Sequence, residues 1–155
     1  MKKVNKKQIL LCLTLILLNL SFIWGNSFLA GPESSQLSGG VMEWLKECLG
    51  GELPGGEFFI RKLAHFSEFA CLGLLLTWLF QLLSQSGIHG FTMPLLCGVL
   101  AALTDETIQV LTPERGPSVI DVWIDTAGVT TGILVLLLIL GLWKKKKHKK
   151  SNGGK

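Results

Sequence analysis

Acidic residues are missing from both ends of this chain. None of its eleven carboxylates precedes Glu33 or follows Asp125. Basic residues are nearly missing from the middle, where only Lys46, Arg61, Lys62 and Arg115 occur. The other eleven of fifteen are Lys2, Lys3, Lys6 and Lys7, the run KKKKHKK from Lys144, and the final Lys155. A net charge of +4 thus conceals a middle of −7 and ends of +11. Tyrosine is absent altogether, and no CxxC, Walker loop, GxSxG or HExxH occurs. Those absences remove a dithiol redox centre, a phosphate-cradling loop, a hydrolase nucleophile elbow and a helical zinc protease site. Cysteine is sparse: Cys12, Cys71 and Cys97 fall inside apolar runs, where they act as small hydrophobes. Cys48 alone lies in a polar loop, so no disulfide can form there within the chain. No internal repeat stands out.

What the sequence has in quantity is hydrocarbon. It is 48% hydrophobic over 155 residues, with a mean hydropathy of +0.46. Four apolar runs, Ile9–Trp24, Leu63–Leu83, Phe91–Leu111 and Ile120–Trp143, approach or exceed the roughly 17–25 residues that cross a bilayer as a helix. The expected fold is therefore all-α: a polytopic membrane protein of four transmembrane helices. Lysine flanking a span marks the cytoplasmic side. Four crossings with both termini cytoplasmic satisfy that rule, and place the loops at 25–61 and 112–119 outside. Basic tails beside membrane helices meet anionic lipid rather than nucleic acid. Three regions follow: 1–30, the basic N-terminus and first span; 31–143, the outer loop and three spans; and 144–155, a basic cytoplasmic tail. A lysine-rich start before an apolar run also resembles a signal peptide. Cleavage after Ala30 would put the bulky Phe28 at −3, so an uncut first helix is expected.

In the first outer loop, GPESSQLSGG is turn-rich. VMEWLKECL then sets Val41, Trp44, Leu45, Cys48 and Leu49 on one helical face, opposite Glu43, Lys46 and Glu47. A short amphipathic helix on the membrane surface or over the bundle is expected.

The costly part of the chain is 104–125, TDETIQVLTPERGPSVIDVWID, with Asp105, Glu106, Glu114, Arg115, Asp121 and Asp125 between apolar runs. A charge at mid-bilayer costs about 2.5–3.5 kcal/mol on insertion scales. The second run opens RKLAHFSEF, so Lys62, His65 and Glu68 lie in its first turns. Asp105 and Gln109 are four apart at the end of the third, with Glu106 beside them. In the fourth, Asp121, Asp125, Gly128 and Gly132 form one stripe, whose glycines let another helix approach closely. The topology puts all these groups in the outer half of three helices. Facing lipid would be costly, so they should turn towards one another and form an outward-opening polar pocket. Lys62 and Arg115 can pair with Glu68, Glu106 or Asp121, and such pairs could equally serve only to clamp helices together.

K-x-x-H-x-x-E-F (Lys62, His65, Glu68, Phe69), D-E-x-x-Q (Asp105, Glu106, Gln109), P-x-R-x-x-S-x-x-D (Pro113, Arg115, Ser118, Asp121) and D-x-x-G-x-x-x-G (Asp125, Gly128, Gly132) occur in that order. Together they resemble the VanZ-like family. Phe69 stands where tyrosine is common, and Asp125 where asparagine is often found. The resemblance implies a bacterial membrane protein, related to one that lowers sensitivity to teicoplanin, and it brings no accepted reaction.

Three functions compete. The polar cluster could bind a cell-envelope or lipid-tailed ligand, or a glycopeptide, with Arg61, Lys62 and Arg115 receiving a phosphate or carboxylate. It could instead be an enzyme, with His65 and the carboxylates supplying acid–base or metal-assisted hydrolysis. His65 and Glu68, three apart, suit a shared hard metal, but one histidine and scattered carboxylates make no known ligand signature. No metal, cofactor or catalytic residue is therefore assigned. A transporter or proton relay needs charges along its path, whereas LGLLLTWLF and ILVLLLILGLW hold no acid or base. Binding is the reading the residues favour.

Overall fold

The computed structural model describes residues 5–29, 56–84, 87–114, 116 and 118–152, with isolated positions between 36 and 48. Four long helices account for nearly all of them: α1 (Lys6–Ser27), α2 (Gly56–Leu82), α3 (His89–Leu111) and α4 (Val119–Asn152). Each is long and apolar enough to cross a membrane. No strand occurs among the described residues.

The helices overrun the apolar runs for local reasons. Asn5 caps α1, its side chain accepting the Lys7 N–H at 3.2 Å and its carbonyl taking the first intrahelical bonds. α2 starts at Gly56, whose φ of +60° suits only glycine without strain. Arg61 and Lys62 therefore lie more than a turn inside it. α3 ends where Thr112 turns extended ahead of Pro113, which cannot continue a helix. α4 does not stop at Trp143 but runs through the lysines to Asn152. Lysine is a good helix former, and Lys144–Lys147 are exposed.

The helices run alternately up and down, so the end of α1, the start of α2, the end of α3 and the start of α4 meet at one end of the bundle. α2 and α4 share the largest interface, and glycine makes it. A Cβ on Gly132 would run into the Ala70 carbonyl, one on Gly128 into that of Phe66, and one on Gly73 into that of Val129. Around this contact lies the core: Phe69, Leu72 and Leu76 of α2, Ala101 and Ala102 of α3, Val129 and Ile133 of α4, and Cys12, Ile16 and Ile23 of α1. Outside it, Leu17, Phe22, Leu96, Leu134 and Leu138 are exposed, as lipid-facing side chains are.

Of the amphipathic helix expected over 41–49, Glu43, Trp44, Lys46, Glu47 and Cys48 have helical backbone. Val41, Leu45 and Leu49 lie outside the described residues, as does Arg115.

Candidate functional site

A set of polar side chains occupies the end of the bundle where α1 stops and α2 starts. Asp105 and Asp125 are almost wholly buried, at 0% and 1% exposure, and Glu106 and Gln109 are buried as well. Burying such groups is costly unless hydrogen bonds replace water, so their partners define the site.

Asp105 is held from two sides. The Ser27 hydroxyl of α1 donates to its Oδ1 at 2.6 Å, and the Gln109 amide, one turn on in α3, donates to its Oδ2 at 2.8 Å. The Gln109 amide also reaches the Ser27 hydroxyl, at 3.5 Å. Thr112 closes this corner, its hydroxyl 3.0 Å from the carbonyls of both Ser27 and Ile108. Glu106 faces the start of α4, where its Oε2 accepts the Ser118 N–H at 2.8 Å. That bond occupies one of the orphan amides of a helix N-terminus, where negative charge is also favoured by the helix dipole.

Lys62 of α2 forms an ion pair with Asp121 of α4, and its ammonium lies 5.0 Å from the Phe58 ring centroid. Arg61 lies 5.9 Å from the same ring. Of the three carboxylates open to Lys62 on sequence grounds, the fold selects Asp121. Glu68 turns instead to α1, its Oε1 accepting from the Asn26 amide at 3.3 Å.

At the centre, Nδ1 of His65 faces two carboxylates on two other helices. It is 3.9 Å from Asp105 Oδ2 and 4.0 Å from Asp125 Oδ1. Neither oxygen of Asp125 has a hydrogen-bond partner, and Oε1 of Glu106 and Oε2 of Glu68 are likewise buried without one. Lys62, His65, Glu106, Gln109, Asp121, Ile124 and Asp125 surround a cavity of about 10 Å³. That is room for about one water molecule. The sequence suggested a partly hydrated pocket opening outward; among the described residues this space lies beside the close approach of α4 to α2 at Gly128.

Eight of the nine residues expected at the site thus converge at one end of the bundle, and the ninth, Arg115, lies outside the described residues. The first helix was the omission. Asn26 and Ser27 bind two of the carboxylates, yet in the sequence they are two small polar residues just past the end of the first apolar run. The one available signal was WGNS, a polar pair late in a hydrophobic helix.

A second, larger feature adjoins the cluster. Leu103, Glu106, Thr107 and Val110 of α3 and Ser118, Val119 and Val122 at the start of α4 line an open groove of about 300 Å³. Glu106 belongs to both spaces, so the groove and the buried cluster share a wall.

Compared with known families, the profile described as VanZ/LLP1 matches residues 8–140. The chain belongs to the VanZ/LLP1 family. The match takes in α1 as well as the three helices whose motifs carry the resemblance, and leaves out only the extreme N-terminus and the lysine-rich end of α4. No curated protein and no solved structure matches the chain. Family membership thus identifies a VanZ-type membrane protein, and the chemistry of the site has to be read from its own geometry.

Proposed function

We propose that this VanZ/LLP1 protein lies in a bacterial cell membrane with both termini cytoplasmic, and that its polar end binds a lipid-tailed molecule of the cell envelope. The observation that carries this reading is the groove between α3 and α4. Its walls, Leu103, Val110, Val119 and Val122, suit an acyl chain, and Glu106 at its inner edge has one carboxylate oxygen without a partner. The one-water cavity is too small for a headgroup. The head therefore rests outside it, at the polar end of the bundle, where Arg61, with Lys62 beyond its pair with Asp121, can meet a phosphate or carboxylate. Lysines at the opposite end anchor the bundle to anionic lipid.

The test uses a phospholipid with a photoactivatable acyl chain, in vesicles containing the purified protein. Wild type should be labelled mainly between residues 103 and 122, and Val122→Trp, which fills the groove, should lose most of that label. Even labelling along all lipid-facing helices would sink the reading. Glycopeptide resistance is the finer proposal. A teicoplanin-sensitive host expressing wild type should be protected, and Glu106→Gln and Arg115→Ala at equal membrane abundance should not. No protection by an abundant wild type removes resistance while leaving the lipid groove to its own test.

Catalysis is the second reading, and one observation favours it: an imidazole nitrogen set between carboxylates of two other helices. The hydroxyls of Thr104, Thr107, Thr130 and Thr131, on the same helices as the two aspartates, are engaged with carbonyls of their own helices.

A further inference from the structure

His65, Asp105 and Asp125 come from α2, α3 and α4, which only the fold brings together. One ligating atom from each, an imidazole nitrogen and two carboxylate oxygens, lies within 4.8 Å of the others. Two carboxylates buried at 0% and 1% exposure repel one another in a medium that screens them poorly. Asp105 accepts from Ser27 on Oδ1 and from Gln109 on Oδ2. Asp125 lines the small cavity, and neither of its oxygens has a hydrogen-bond donor. Lys62, which lines the same cavity, is engaged with Asp121.

We infer that His65, Asp105 and Asp125 bind a first-row divalent cation, of the class of zinc or manganese. One imidazole and two carboxylates are the mixed nitrogen–oxygen set such ions take. Metal–ligand bonds of about 2.1 Å put the ligand atoms of a tetrahedral site about 3.4 Å apart, so the three side chains, now within 4.8 Å of one another, need to close by up to about 1.4 Å around the ion. Ser27 and Gln109 then do for Asp105 what second-sphere donors do for metal ligands, fixing its orientation. The ion would give the Asp125 oxygens, which have no hydrogen-bond donor, a positive partner. Three protein ligands beside a one-water cavity leave a coordination position open. The site is distinct from the acyl-chain groove, and its test does not depend on any lipid.

The experiment is metal analysis of the full chain purified in detergent without chelator, with a thermal melt on the same samples. Wild type should carry about one equivalent of zinc or manganese. Stripping with EDTA should lower its melting temperature, and adding back Zn²⁺ or Mn²⁺ alone should restore both metal and melting temperature. The double variant His65→Gln/Asp125→Asn should hold less than about a tenth of an equivalent and melt at one temperature with or without EDTA. Should that variant fail to fold, the strip-and-refill of wild type decides. Stripped wild type that takes up neither ion and melts unchanged overturns the site, as does a folded double variant that keeps its metal. In either case Asp125 is satisfied by a proton or a water molecule instead.

Discussion

In the half of the bundle that holds Asp105 and Asp125, helices are joined side chain to side chain: Ser27 to Asp105, Asn26 to Glu68, Lys62 to Asp121. In the half that holds Gly132 and Leu76 they are joined by nearness of backbone, with α4 lying against the carbonyls of α2. Within lipid there is little hydrophobic drive between helices, so close packing has to supply the adhesion in the second half. The first half takes on the cost of buried polar groups, and glycine contact offers the cheaper way to hold helices. That contrast is the reason to read the polar half as serving function as well as cohesion.

The largest test of the contrast is at the glycines. Gly132→Leu forces a side chain into the Ala70 carbonyl and should cost more than the 1–3 kcal/mol, roughly, of ordinary overpacking. Loss of monodisperse protein in detergent is the expected result. Gly141, on the same helix, has nothing within 4 Å of its missing Cβ. Gly141→Ala should therefore stabilise by up to about 0.5–1 kcal/mol, seen as a raised melting temperature. Equal effects at the two glycines would erase the distinction.

Next in size is the polar half. Ser27→Ala removes a donor from a fully buried carboxylate, and should cost about 1–3 kcal/mol in thermal or denaturant unfolding. Asn26→Ala acts on the half-buried Glu68 through a longer bond and should cost less, about 0.5–1.5 kcal/mol in the same assay. The smallest effect should come from the exposed lysines. Changing Lys144–Lys147 to glutamine should leave unfolding within about 0.5 kcal/mol of wild type. Its consequence should appear instead as weaker retention on anionic vesicles at low salt.

The contrast also explains what could be read from the chain alone. The four spans, and the inward turn of Lys62, His65, Glu68, Asp105, Gln109 and Asp125, follow from the cost of charge in hydrocarbon together with helical spacing. The glycine stripe at 128 and 132 follows from the same period. Which carboxylate meets which donor does not. Lys62 had three open partners, and the choice of Asp121 depends on the rotation of α4 against α2, which the packing of Gly128 and Gly132 fixes. Asn26 and Ser27 stayed hidden because one amide and one hydroxyl barely disturb an apolar run. The meeting of His65 with Asp105 and Asp125 is a three-helix coincidence, beyond the reach of any spacing along one helix.

α4 has no break between its carboxylates and its lysines. At 1.5 Å per residue, Lys144 lies about 28 Å along the axis from Asp125 and about 35 Å from Asp121. A hydrocarbon layer is about 30 Å thick. With the lysines resting in one headgroup layer, the two aspartates straddle the opposite boundary. Asp125 remains just inside the hydrocarbon and Asp121 emerges from it. The helix is thus a ruler whose graduations are residues, and it fixes the depth of the carboxylates with no adjustable linker. A single residue inserted between Gly132 and Lys144 would shift that depth by about 1.5 Å and turn the lysines by about 100° relative to the cluster.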